Sequence, residues 1–256
     1  MPDLKFLRVE VIDDVARIVL NRPKHNVLNL DMMRELNGAL EKLQGDNTLK
    51  CLVISAEGRS WCAGVEVGDH KPELVGDMID VFSRMLTLVE TFEIPTIAAV
   101  KGACLGGGME LAIACDIVIA AEQAVFGQPE IKLGFFPPYA AIRLPQLVGP
   151  SKSIEICTTG RRYTAAEAKA IGFITHVTDN DAFDDMLVSI LKEISMNSPL
   201  IIRLSKQAVK KHLGLTTQAA MAGVNDLFLN TLMKTEDTLE GIRSFEEKRR
   251  PEWKNA

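Results

Sequence analysis

The chain has 256 residues, 47% hydrophobic and 25% charged, enough to bury one sizeable core or a core with a small appended region. A net charge of −5 excludes any global attraction for nucleic acid or anionic lipid and leaves only local basic clefts for a phosphate. The first fourteen residues lack the basic end and apolar run of a secretory leader, and the apolar stretch 111–121 is short and broken by Asp116, so a cytoplasmic protein with no membrane partner is expected.

Residues 4–12 and 15–21 predict two strands joined in a hairpin at Asp13-Asp14. Asp31 opens a helical pattern through Met32, Met33, Leu36, Leu40 and Leu43 that stops near Gly45. Residues 49–55 form an apolar run of strand length, followed by a polar loop over 56–60. Val75, Ile79, Phe82, Leu86 and Val89 fall at helical spacing and predict an amphipathic helix over 73–91. Pro95 starts a buried strand, TIAAV. Gly106-Gly107-Gly108 then precede an apolar helix, MELAIAC, and Asp116 introduces the strand IVIAA. A loop (FGQPEIKLGFFPP), a helix from about Ala140, an alanine-rich helix over 164–170 and a strand (FITHV) follow. From Pro199 onward the pattern is helical only. Repeated strand and helix units argue an α/β fold with a core over residues 1–195 and a helical region over 196–256.

The glycine triplet sits between a strand and a helix, where unpaired N–H groups converge at the positive end of the helix. Such a turn suits a phosphate, a carboxylate or a developing oxyanion. Its spacing is neither G-x-G-x-x-G nor a P-loop, and close helix–strand packing alone would also explain it. Glu110, two residues on, lies in the first turn of a helix flanked by Leu111, Ala112, Ile113 and Ala114. A glutamate there is commonly a dipole partner, but burial among apolar neighbours suits a general base with a raised pKa. Glu130 is a second carboxylate in a loop, for which spacing alone favours a solvated residue. Cys62 with His70 invites a nucleophile reading, but no third group orients the pair and Cys62 has apolar neighbours. A small-residue turn at Ala63-Gly64 for close ligand approach fits better. The five cysteines form no C-x-x-C pair and the four histidines show no metal spacing, so no metal site is expected.

Five segments, in order along the chain, carry a resemblance: Arg22-Pro23-Lys24 through Leu28, WCAGVE, IPTIAAVKGACLGGGMELAIACD, FGQPEIKLG and EDTLEGIRSFEEKRRPEW. Together they are similar to the crotonase (enoyl-CoA hydratase/isomerase) superfamily. The resemblance implies a spiral of β-β-α turns with a C-terminal helical region that packs between subunits of a trimer or hexamer. It implies an acyl-CoA substrate, with coenzyme A part of the substrate and no separate cofactor. The oxyanion N–H groups fall on Val65 and Gly107, and the acid/base carboxylates on Glu110 and Glu130. Ala63 falls at the adenine, Lys24 falls near the CoA phosphates, and Gly64 is a further substrate-binding residue. The implied reaction is hydration of a conjugated enoyl-CoA through an enolate. Isomerisation and thioester hydrolysis are its enzymatic alternatives, and an RNA-binding module built on Lys248-Arg249-Arg250 is the non-enzymatic one. Val65-Glu66 departs from the usual Ala-Asp, and Phe135-Phe136-Pro137-Pro138-Tyr139 replaces a glycine-rich loop. With Tyr139 as an aromatic wall, the Phe135-Phe136-Pro137-Pro138 run and Gly68-Asp69-His70 resemble members acting on cyclic dienoyl-CoA thioesters.

Overall fold

Asp13 and Asp14 both adopt the left-handed backbone region (φ 51° and 62°), which turns β1 (Leu7–Ile12) back on β2 (Val15–Leu20) in the predicted hairpin. The computed structural model describes residues 4–22 and 24–256; residues 1–3 and Pro23, which belongs to the Arg22–Leu28 segment of the resemblance, lie outside the described residues. Helix α1 (Leu30–Gln44) is capped by Asn29, whose side chain accepts from the Met32 N–H, so Asp31 lies in the first turn instead of at the cap.

From there the chain repeats one device. A strand enters a large sheet, a shorter strand enters a small sheet, and a helix returns. The first round is β3 (Cys51–Ala56), β4 (Ser60–Cys62) and α2 (Val75–Glu90). The second is β5 (Thr96–Val100), β6 (Ala103–Leu105) and α3 (Gly107–Ala114). The third is β7 (Ile117–Ala121), β8 (Val125–Gly127) and α4 (Pro138–Val148). The large sheet runs β1-β2-β3-β5-β7 and is closed by a later strand, β10 (His176–Thr178). The small sheet runs β4-β6-β8 and ends on β9 (Arg162–Thr164). This is an α/β fold with the repeated β-β-α turns that the resemblance implied.

Strand β5 is buried along its whole length because both faces of the large sheet are covered. One face meets the main core with Met32, Leu36, Leu40, Phe82 and Met85. The other is covered by Phe183, Leu187 and Leu191, as shown below for the helix that carries them. Between β8 and β10 lie α5 (Pro150–Thr159) and α6 (Ala165–Ile171). The Thr164–Glu167 capping box starts α6 at the predicted place, whereas α5 and β9 were not expected. The last strand occupies 176–178 instead of 173–177, because Phe173 and Ile174 turn into the core before the backbone pairs.

Helix α7 (Phe183–Ser195) lays its apolar face on the large sheet. Beyond it come α8 (Pro199–Lys210), α9 (Thr217–Asp226), a wider helical turn over Leu227–Thr231 and α10 (Glu236–Glu246), with no strand, as expected. Lys206 and Lys210 of α8 reach Asp116 at 2.5 and 2.8 Å and tie this region to the end of α3. Buried Asp237 accepts from the N–H groups of Lys254 and Asn255, and from Ser198, which folds the chain end against α8 and α10. No helix among the described residues is long and apolar enough to cross a membrane.

Candidate active site

Strands β4, β6 and β8 are parallel neighbours, with Cys62 beside Cys104 and Cys104 beside Phe126. Their carboxyl ends therefore release three loops side by side: Ala63–Glu66, Gly106–Gly108 and Gln128–Glu130. That adjacency brings together residues far apart in sequence. Gly106 has φ 54° and ψ −133°, a conformation for glycine alone, and a Cβ there would lie 2.6 Å from Glu130 Oε1. A Cβ on Gly108 would lie 2.3 Å from the Cys62 carbonyl. The triplet thus serves close approach on two sides as well as starting α3.

These loops open on a cavity of about 510 Å³ lined by Gly64, Val65, Gly107, Glu110 and Glu130. The Val65 and Gly107 N–H groups have no hydrogen-bond partner among the described residues. They are neighbours, since a Cβ on Gly107 would meet Val65 Cγ2 at 2.5 Å. Glu110 is buried, and its Oε1 accepts from the N–H groups of Tyr139 (2.7 Å) and Ala140 (2.9 Å) in the first turn of α4. Pro138 at the first helical position supplies no competing donor, so the open end of α4 is aimed at this carboxylate. Burial pushes the Glu110 carboxyl up to about 8, with the Glu130 charge adding to it and the two amides opposing. Burial likewise pushes Glu130 up to about 7. Buried Gln128, with its amide nitrogen turned inward, lies 3.1 and 3.2 Å from the Glu130 oxygens and fixes them.

Two carboxylates with no lysine or arginine lining their cavity, beside two unpaired backbone donors, suit proton transfer next to a carbonyl that gains negative charge. The family model described as enoyl-CoA hydratase/isomerase matches residues 10–256. The chain belongs to the enoyl-CoA hydratase/isomerase family. A putative enoyl-CoA hydratase/isomerase of Bacillus subtilis is 35% identical over 94% of this chain and 95% of its own length. The 2,3-dehydroadipyl-CoA hydratase of Escherichia coli is 33% identical over 94% of this chain and 95% of its own. The crystal structure of enoyl-CoA hydratase from Bacillus anthracis superposes with a TM-score of 0.93 at 30% identity, covering 98% of this chain and all of that one.

Within this hydratase/isomerase frame the sequence-derived residues divide. Val65, Gly107, Glu110 and Glu130 meet in one cavity, and Ala63 and Gly64 line its edge. Lys24 is exposed outside the cavity, on the loop whose His25 carbonyl accepts from the Ala63 N–H at 3.0 Å. Tyr139 departs from expectation. Its side chain is buried toward Arg143 and Glu90, away from the cavity lining, and only its backbone N–H serves the site. The aromatic wall is instead Phe82, Phe135 and Phe136.

Cys62 is wholly buried and burial pushes its thiol up to about 12, which removes the nucleophile reading. No cluster among the described residues has metal-ligand character. In the basic Lys248-Arg249-Arg250 cluster, Arg249 is held by Glu240 (2.5 and 3.0 Å) and Glu247 (2.5 Å). Gln128 is a site residue that the sequence does not single out, although it sits two residues before Glu130. Phe135 and Phe136 belong to the Phe-Phe-Pro-Pro run that the resemblance linked to substrate shape, and they take the wall position assigned there to Tyr139.

Proposed function

We propose that this family member is an enoyl-CoA hydratase. The observation that supports it is the pairing of Glu110 and Glu130 in one apolar cavity beside the free Val65 and Gly107 N–H groups. The thioester carbonyl accepts both N–H bonds, which strengthen as the enolate forms. Glu110 takes a proton from water, the water oxygen bonds to the β-carbon, and the double-bond electrons move toward the thioester oxygen. Glu130 then gives its proton to the α-carbon, so one carboxylate gains the proton that the other loses.

With values of about 8 and about 7, the pair holds close to one proton near neutrality. Ala63 offers backbone to the adenine, and Lys24 extends toward the CoA phosphates. The decisive experiment is turnover of crotonyl-CoA in oxygen-18 water. One labelled oxygen per product is expected. A moved double bond without label would make the enzyme an isomerase, and release of free thiol would make it a hydrolase.

A cyclic dienoyl substrate is a finer reading, supported now by Phe82, Phe135 and Phe136 in place of Tyr139. Comparison of kcat/KM for decenoyl-CoA and a cyclohexadiene-carbonyl-CoA tests it, and equal or better decenoyl-CoA turnover removes it.

The protein is further proposed to assemble as a trimer or hexamer through its C-terminal helices. Phe228, Leu229, Leu239, Ile242 and Phe245 expose 49–85% of their surface on α10 and the preceding turn, more apolar surface than a lone chain ordinarily leaves in water. Sedimentation of the Leu239→Glu, Phe245→Glu double variant is expected to give a smaller species than the parent.

A further inference from the structure

The cavity holds a third titratable side chain that the proposed reaction does not use. His70 ends a single helical turn, Val67–His70, and lines the cavity, with its ring tilted against Phe135 at a centroid distance of 4.9 Å. Its Nδ1 lies 3.0 Å from the Glu66 carbonyl oxygen. A carbonyl only accepts, so Nδ1 carries the hydrogen, and the tautomer that this bond selects leaves Nε2 as the acceptor. Asp69, next in the turn, accepts from the Leu30 N–H at 3.0 Å, which holds the turn and with it the ring. Nε2 itself has no partner among the described residues. A hydroxyl on the acyl group, on a ring or on a chain, would give this acceptor a donor.

We propose that His70 is a specificity-determining residue: it accepts a hydrogen bond from a hydroxyl on the acyl group, beyond the reacting double bond. The substrate class is then a hydroxylated enoyl-CoA. The lining argues against the other polar acyl group of similar size, a terminal carboxylate, because its ionisable side chains are His70 and the two glutamates, with no lysine or arginine. A carboxylate would enter a cavity already carrying negative charge with no cation to receive it. A hydroxyl needs only an acceptor.

The inference rests on the acyl-CoA reading above, and its test is separable from it. Binding of saturated hexanoyl-CoA, 4-, 5- and 6-hydroxyhexanoyl-CoA and adipyl-CoA is measured by calorimetry, so no turnover is required. At least one hydroxylated ester is expected to bind about tenfold more tightly than hexanoyl-CoA, a difference of ~1.4 kcal/mol. In His70→Phe, which keeps a ring against Phe135 but has no acceptor, that ratio should fall to about one. In His70→Gln, whose amide oxygen accepts, part of it should return. A ratio of one in the parent protein, an unchanged ratio in His70→Phe, or tighter binding of adipyl-CoA than of every hydroxylated ester each overturns the proposal. Absence of crotonyl-CoA hydration with these ratios intact would overturn the hydratase reading and leave the His70 assignment standing.

Discussion

The two ends of α3 hold buried carboxylates in opposite settings. At the amino end, Glu110 has two backbone amides and no cation, and burial raises its pKa to about 8. Just past the carboxyl end, Asp116 is also largely buried, but Lys206 and Lys210 outweigh that burial and hold its carboxyl below the ordinary value. It also accepts from the Thr96 N–H and hydroxyl, at 2.9 and 3.0 Å. The difference separates a group kept reactive from a group kept satisfied. An eight-residue helix connects them, so what decides the role is the chain packed against each end: α4 at one, α8 at the other.

The comparison is broken most directly by removing each charge without changing shape. Glu110→Gln and Glu130→Gln are each expected to lower turnover by ~10²–10⁴-fold, because each removes a positioned proton carrier. Steady-state hydration assays at saturating substrate measure this, and near-parental turnover in either variant would end that residue's role. Asp116→Asn should instead cost stability, by about 3–5 kcal/mol, since it strands two lysines beside a neutral amide. Urea denaturation reads that loss, and an unchanged midpoint would mean that the cluster is only surface decoration.

pH sharpens the contrast, because the signs are opposite. Glu110 binds its proton more tightly folded than unfolded, so its contribution favours the fold below about pH 4.5 and is lost as pH rises through about 8. Glu110→Gln should therefore gain stability relative to the parent on going from pH 5 to pH 9, on the order of 2–4 kcal/mol. Asp116 behaves in reverse: its stabilisation is present above the ordinary carboxylate range and is lost as pH falls through its lowered folded value. Thermal melts of the parent and Glu110→Gln from pH 5 to pH 9, and of the parent and Asp116→Asn from neutral pH down through the acid range below the ordinary carboxylate value, test both signs. Activity of the parent should peak where the pair holds one proton, falling below about pH 7 and above about pH 8.

The smallest expected effect belongs to Tyr139→Phe. The buried Tyr139 hydroxyl has no hydrogen-bond partner among the described residues, and the ring lies outside the cavity lining. Its loss should leave kcat/KM within about twofold and stability equal or up to about 1 kcal/mol higher. A tenfold fall in kcat/KM would return the ring to the site.

Where periodicity is long, the sequence was legible: α1, α2 and the hairpin at Asp13-Asp14 lie where their patterns place them. Strands β4, β6 and β9 span three residues each, too few to show a period, and they form most of the small sheet that assembles the site. Glu110 announced itself by its apolar neighbours. Glu130 did not, because its burial comes from chain folded over it and not from the residues beside it. The direction of the Tyr139 ring was likewise invisible, since it depends on the rotation of α4 that aims two amides at Glu110.

That aim has a stereochemical consequence. The α4 amides both bond Oε1 of Glu110, which under the proposed hydration leaves Oε2 to take the proton from water. A substrate pinned by its thioester oxygen presents one face of its planar double bond to that single atom. Under the proposed hydration, the new carbon–oxygen bond forms on that face in every turnover, and the product is one enantiomer of the 3-hydroxyacyl thioester. Chiral chromatography of the hydrolysed product should show one peak, and Ala140→Pro, which deletes one of the two donors, should let the mirror-image product appear.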